Sequence, residues 1–153
     1  MRQHLITDRK DLEEIILKCQ VCHIAMVDPD GLPYLLPFNF AYEDGVIYFH
    51  SGRTGKKIDI LTQNPDVCVE FSTDYQLRFQ SENVACSYTM KYRSVLAYGK
   101  VEFIEDPEEK IQIMNKVMKH YVPDNFTYSL PSMKEVCCWI VRTQKMEGKI
   151  NGY

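Results

Sequence analysis

The segment His50-Ser51-Gly52-Arg53-Thr54-Gly55-Lys56-Lys57 brings together the group types that hold a phosphate. Arg53, Lys56 and Lys57 supply positive charge, and Ser51 and Thr54 supply hydroxyl donors. Gly52 and Gly55 let the backbone turn tightly and approach a ligand closely. The segment follows an apolar run and precedes a helical pattern. Free backbone N–H groups and the positive end of a helix dipole therefore meet at one spot. It is not the P-loop, because G-x-x-x-x-G-K-[ST] does not match. The chemistry it can support is the capture of a phosphate group; the plain alternative is a solvated basic turn. His50 adjoins the turn and is a candidate ligand or proton donor.

Two further stretches carry polar groups inside apolar surroundings. In Pro33-Tyr34-Leu35-Leu36-Pro37-Phe38-Asn39-Phe40 the prolines cannot donate to a sheet ladder, so the strand must be an edge or contain a bulge. Such a strand leaves backbone groups free to meet a planar heteroaromatic ring, and Asn39 adds an amide donor and acceptor between two aromatics. It can equally be an aromatic core strand whose Asn faces water. In Met90-Lys91-Tyr92-Arg93-Ser94-Val95, Arg93 needs an anion partner if it is buried, and otherwise is a surface arginine.

Other chemistries find no support. There is no G-x-S-x-G elbow and no H-E-x-x-H, and His4, His23, His50 and His120 do not cluster. Cys19 and Cys22 form one C-x-x-C without the second pair that a structural zinc would require. That pair closes a helix and enters a strand, the reverse of a thioredoxin-like site. We read the six cysteines as reduced, mostly buried side chains and expect no metal.

Composition sets the frame. A chain of 153 residues with 45% hydrophobic and 25% charged residues is the size and type of one globular domain, expected over 1–153. The net charge of −3 gives no general attraction to nucleic acid or anionic lipid. No apolar stretch is long enough to span a bilayer, and the N-terminus lacks a signal-peptide core. A cytoplasmic protein acting on a small molecule is expected, with no nucleic-acid or membrane partner.

The elements that must position these residues follow from periodicity. Thr7–Lys18 reads as a helix with the stripe Leu12, Ile15, Ile16 and Cys19. Cys22–Val27, Leu32–Tyr42 and Val46–His50 read as three meander strands, joined by turns at Asp28–Gly31 and Glu43–Gly45. A short helix starts at Lys56 and ends at Asn64-Pro65. Asp66–Ser72 alternates as a strand, Thr73–Asn83 is irregular, and Val84–Ile104 is a long strand broken near Met90-Lys91. Asp106-Pro107-Glu108-Glu109 opens a helix with apolar positions Ile111, Met114, Val117, Met118 and Tyr121. Pro123–Ser132 is loop, and Glu135–Thr143 is the last strand. Helices do not alternate regularly with strands. A mainly β fold is expected, an antiparallel sheet closed into a small barrel with flanking helices.

In order and spacing, these stretches resemble the pyridoxamine 5′-phosphate oxidase-like flavoproteins, and most of all their nitroimidazole-resistance (Nim-type) branch. The resemblance runs from Gly31-Leu32-Pro33-Tyr34 through Pro37-Phe38-Asn39-Phe40, Val46–Ser51, Gly55-Lys56-Lys57-Ile58-Asp59 and Asn64-Pro65-Asp66-Val67-Cys68. It continues through Met90–Val95, Gly99 and the helix opened by Asp106-Pro107. It implies an FMN-binding split β-barrel of antiparallel Greek-key type, working as a homodimer with FMN at the interface. Carried over by position, Tyr34, Leu35, Leu36, Pro37, Phe38 and Asn39 would line the flavin ring. His50 and Ser51 would sit near the ring or ribityl chain, Lys56 and Lys57 would hold the phosphate, and Arg93 and Ser94 would add further contacts. Trp139 falls on the last strand, as core or as a contact to a partner chain's flavin. Lys56 stands where Nim-type relatives often carry His. The C-terminal substrate segment of the pyridoxamine oxidases is not matched, so vitamin B6 oxidation is not implied. The implied activity is an FMN-dependent reductase of a small organic acceptor that draws on a nicotinamide donor. A flavin- or haem-binding module without turnover and an anion-binding structural dimer are the alternatives.

Overall fold

A computed structural model describes residues 3–153. The first elements are strand β1 (Gln3–Ile6), helix α1 (Arg9–Lys18), strands β2 (Cys22–Val27), β3 (Pro33–Phe38), β4 (Ala41–Glu43) and β5 (Val46–Gly52), and helix α2 (Lys56–Gln63). After them come the long strands β6 (Asp66–Arg78) and β7 (Thr89–Ile104), helices α3 (Pro107–Tyr121) and α4 (Leu130–Glu135), and strand β8 (Val136–Asn151).

Local chemistry fixes the boundaries. Asp8 caps α1 by accepting from the N–H groups of Lys10 and Asp11, and Asp106 caps α3 by accepting from Glu109 N–H at 3.0 Å. In the β2–β3 turn, Asp28 accepts from the N–H groups of Asp30 and Leu32. Asp44 and Gly45 both take positive φ, +48° and +79°, the pattern of a tight two-residue hairpin between β4 and β5.

Eight strands form one sheet in the order β3-β2-β6-β7-β8-β5-β4, with β1 also on β8, and every pairing is antiparallel. The sheet curls so that its first strand meets its far half. Phe38 of β3 packs edge-on against Phe49 of β5 and Trp139 of β8, at centroid distances of 5.9 and 5.4 Å. The interior holds Ile24, Ile47, Phe71, Val95 and Val141, and α1 lays Leu12, Ile15 and Ile16 on it. This is the expected mainly β, antiparallel barrel with flanking helices. Trp139 is fully buried and stacks on Phe49 at 4.4 Å, so it is core.

The structure corrects several sequence readings. The three-strand meander does not form: β2–β3 lies at one end of the sheet and β4–β5 at the other, so β3 and β5 are not partners. The expected strand over 32–42 breaks at Asn39-Phe40. Phe40 dives into the core against Phe71, and its N–H donates to the Tyr121 hydroxyl instead of a neighbouring strand. β6 runs on to Arg78 through a bulge between Thr73 and Gln76, where an irregular loop was expected. Residues 84–88 are not strand: Ala85–Ser87 forms a single 3-10 turn, and β7 begins at Thr89. α4 starts inside the expected loop 123–132, because Ser129 caps it by accepting from Ser132 N–H. β8 extends to Asn151 along β7, and the N-terminal strand β1, carrying His4, adds to it. The buried side of α3 is Lys110, Ile113 and Val117, rotated from the stripe expected. No helix among the described residues is long and apolar enough to cross a membrane.

Candidate functional site

β5 pairs with β8 along its whole length, with His50 opposite Cys138, Ser51 opposite Cys137 and Gly52 opposite Val136. Ile47 and Phe49 point into the barrel, and His50 takes the opposite face, half-buried. Its Nδ1 is buried without a hydrogen-bond partner among the described residues. Burial lowers its pKa from the ordinary 6.5, so the imidazole is neutral at pH 7.

After β5 the chain reverses into α2. Gly55 stands at the helix N-cap with φ +120°, a conformation that side chains resist, and it offers no side-chain cap. The N–H groups of Ile58 and Asp59 turn back to the Gly55 carbonyl at 2.9 and 3.2 Å. The first two helical residues, Lys56 and Lys57, have N–H groups that cannot be used inside the helix. A helix N-terminus carries partial positive charge, and two lysines there work against it by about 0.3–1 kcal/mol each. An anion seated at this end would reverse that sign. Of the two lysines, Lys56 is exposed and Lys57 is half-buried.

β3 brings the second stretch to the same place. It pairs only with β2, so it is the edge strand that its prolines predict. Tyr34, Leu36 and Phe38 turn toward the core, while Leu35, Pro37 and Asn39 face outward. Tyr34 reaches α2, where the Lys56 ammonium lies 4.7 Å from its ring centroid.

Arg53 is already committed. Its guanidinium donates to the Lys134 carbonyl at the end of α4 and lies 3.9 Å from the Glu105 carboxylate. A cavity of about 190 Å³ beside it is lined by Arg53, Ile58, Thr62, Phe103, Glu105 and Cys137.

Arg93 and Ser94 are not brought to this turn within one chain. They pair with Ile150 and Lys149 of β8, whereas His50 pairs with Cys138, twelve residues earlier on that strand. That is about 40 Å of strand contour. Arg93 does have the anion partner its position requires, Asp74 at 2.6 Å, and its guanidinium lies over the Tyr153 ring at 3.9 Å. Burial pushes the Asp74 carboxyl up, but hydrogen bonds and charge from Arg93 and Lys18 outweigh it and leave the pKa lowered.

Sequence reasoning missed Lys110. It is 3% exposed, and its Nζ donates to the carbonyls of Val136 at 2.9 Å and Met133 at 3.3 Å. The signal was present, since Lys110 occupies the same helical face as Ile113 and Val117. Cys19 and Cys22 are free thiols in the core. Burial raises Cys19 to about 11 and Cys22 higher still, so neither is a thiolate at neutral pH.

The sequence model for pyridoxamine 5′-phosphate oxidase matches residues 8–144, most of the chain. The chain belongs to the pyridoxamine 5′-phosphate oxidase family. The match to that family starts at the α1 cap and ends inside β8, so it takes in the β3 edge and the lysine turn. A candidate 5-nitroimidazole antibiotic resistance protein from Bacteroides thetaiotaomicron is 41% identical, covers 97% of this chain and 87% of its own, and superposes with a TM-score of 0.88. The fold is shared more distantly with the flavocytochrome Anf3 from Azotobacter vinelandii. That structure is 18% identical with a TM-score of 0.84, over 97% of this chain and 70% of its own. A FAD- and haem-binding protein from Mycobacterium smegmatis, 15% identical with a TM-score of 0.85, covers 97% of this chain and 74% of its own. No curated protein sequence matches the chain.

Proposed function

We propose that this pyridoxamine 5′-phosphate oxidase family member binds FMN and serves as a reductase of a small organic acceptor, drawing electrons from a nicotinamide donor. One observation carries the reading: Lys56 and Lys57 crowd the uncapped N-terminus of α2, beside the edge strand β3. That cluster is uncomfortable without an anion and suited to a phosphate monoester. The donors present fit the group, since the turn carries two lysines, one of them over Tyr34, and two backbone N–H groups the helix leaves unused. Neutral His50 adjoins this turn, with its Nδ1 buried and without a partner among the described residues. A bound flavin supplies the redox chemistry. The chain's own task is to hold the phosphate, to orient the ring along β3 and to keep His50 uncharged. The 41% identical nitroimidazole-resistance candidate supports a small organic acceptor.

The placement of Arg93 and Ser94 supports a homodimer. They lie too far along β8 to reach their own lysine turn, so one nucleotide contacts both regions only if the second comes from another copy.

Visible spectroscopy tests the reading. Purified protein incubated with FMN and freed of excess should show an oxidised-flavin spectrum that NADH or NADPH bleaches without oxygen. A Soret band would favour a haem module, and protein that retains no FMN would leave an anion-binding structural dimer. Dilution below the dimer dissociation constant should release the flavin; flavin retained by a demonstrated monomer would overturn the shared site.

A further inference from the structure

At the far end of the β6–β7 hairpin lies a cavity of about 590 Å³, lined among others by Arg78, Phe79, Ser87, Tyr88, Thr89 and Tyr153. The hairpin continues past the barrel, and the linking segment 79–88 folds back on itself. Ser87 Oγ donates to the Ser81 carbonyl and accepts from Ser81 N–H, and the Tyr88 hydroxyl donates to the Glu82 carbonyl. The Tyr153 hydroxyl donates to the Asp74 carbonyl. The hydroxyls of Ser87, Tyr88 and Tyr153 are thus tied to backbone carbonyls, and all three residues line the cavity. Phe79 and Tyr88 stack at 4.8 Å and 23°, yet Phe79 stays 44% exposed and Tyr88 and Tyr153 39% each. The stacked pair is therefore partly open to solvent.

The charge around this end is positive. Lys91 lies 3.8 Å from the Tyr153 ring centroid, and Arg93 lies over the same ring. Asp74 is held by Arg93 and Lys18. Arg78 lines the cavity and has no ion-pair partner among the described residues. Among the side chains that line the cavity, Arg78 is the charged one, and Lys91 and Arg93 stand against the Tyr153 ring beside it.

We propose that this cavity binds a small planar aromatic anion, its ring continuing the Phe79–Tyr88 stack and its carboxylate or equivalent group paired with Arg78. Stacked rings favour a further offset ring, a guanidinium fork matches a planar oxyanion, and a segment already ordered by its own hydrogen bonds loses little freedom on binding. Within one chain the site stands apart from the lysine turn, and it does not rest on the flavin reading, although Arg93 beside the Tyr153 ring is the residue that reading brings to a partner's nucleotide.

The test titrates the full chain, without added FMN, with 2-naphthoate and follows ligand fluorescence anisotropy. Naphthoate should bind, and its neutral isostere 2-naphthamide should bind at least tenfold more weakly. Arg78→Gln should weaken naphthoate about tenfold with circular dichroism and melting unchanged, Tyr88→Leu should weaken it about tenfold with the circular dichroism of the folded chain retained, and Lys57→Ala should leave it within twofold. Equal affinity for acid and amide, indifference to both cavity substitutions, or no binding at millimolar ligand would overturn the proposal. Naphthoate failing while FMN binds overturns this site alone; FMN failing while naphthoate binds overturns the flavin reading alone.

Discussion

The ammonium of Lys56 lies 4.7 Å from the centroid of the Tyr34 ring and ties the start of α2 to the edge strand β3. The contact joins the phosphate-holding turn to the strand proposed to run along the ring, two segments that share no ladder hydrogen bonds. An exposed cation–π contact is worth about 0.5–1 kcal/mol. Tyr34→Leu should therefore cost about that in stability and loosen FMN only modestly, as read by urea midpoints and flavin fluorescence.

Lys57 is the stronger phosphate candidate, being half-buried at the second helical position while Lys56 is engaged with Tyr34. Lys57→Ala should weaken FMN by about 1.5–3 kcal/mol, the scale of hydrogen bonds to charged groups. Calorimetric titration showing wild-type affinity would remove the phosphate role.

His50 takes up a proton less readily in the folded chain, because burial disfavours its charged form. Between the lowered folded pKa and the ordinary 6.5, the unfolded chain binds more protons, so stability climbs with pH across that window and is level above it. Acidification below about pH 6.5 should therefore destabilise the wild type more than His50→Asn. Denaturant midpoints between pH 8 and 5 give the comparison; parallel curves would contradict it.

Lys110 holds the end of α4 by donating to the Met133 and Val136 carbonyls from inside the protein. Lys110→Met preserves bulk and leaves both carbonyls without that donor, which should cost about 1–3 kcal/mol. Hydrogen exchange should quicken in α4 before the rest of the chain.

Gly99 sits where β7 shifts register against β8. A Cβ there would collide with the Arg142 carbonyl oxygen and lie 2.8 Å from Val141 Cγ1. Gly99→Ala should lower stability by about 1–3 kcal/mol, read as a drop in urea midpoint at unchanged slope.

Much of this protein is written locally. Asp8 and Asp106 start helices, Asp28–Gly31 and Asp44-Gly45 make turns, and Pro33 and Pro37 confine β3 to an edge, because capping, φ preference and a missing N–H act within a few residues. The lysine turn was legible for the same reason, as charge, glycine and helix start are contiguous. Tertiary structure alone decided what joins distant segments. It sent β2–β3 and β4–β5 to opposite ends of the sheet and stretched β8 to Asn151 along β7. It also set Tyr34 against Lys56, gave Asp74 to Arg93 and gave the Met133 and Val136 carbonyls, at the junction of α4 and β8, to Lys110. Strand partners are chosen by which apolar faces can close one shared core, and that competition involves the whole chain at once.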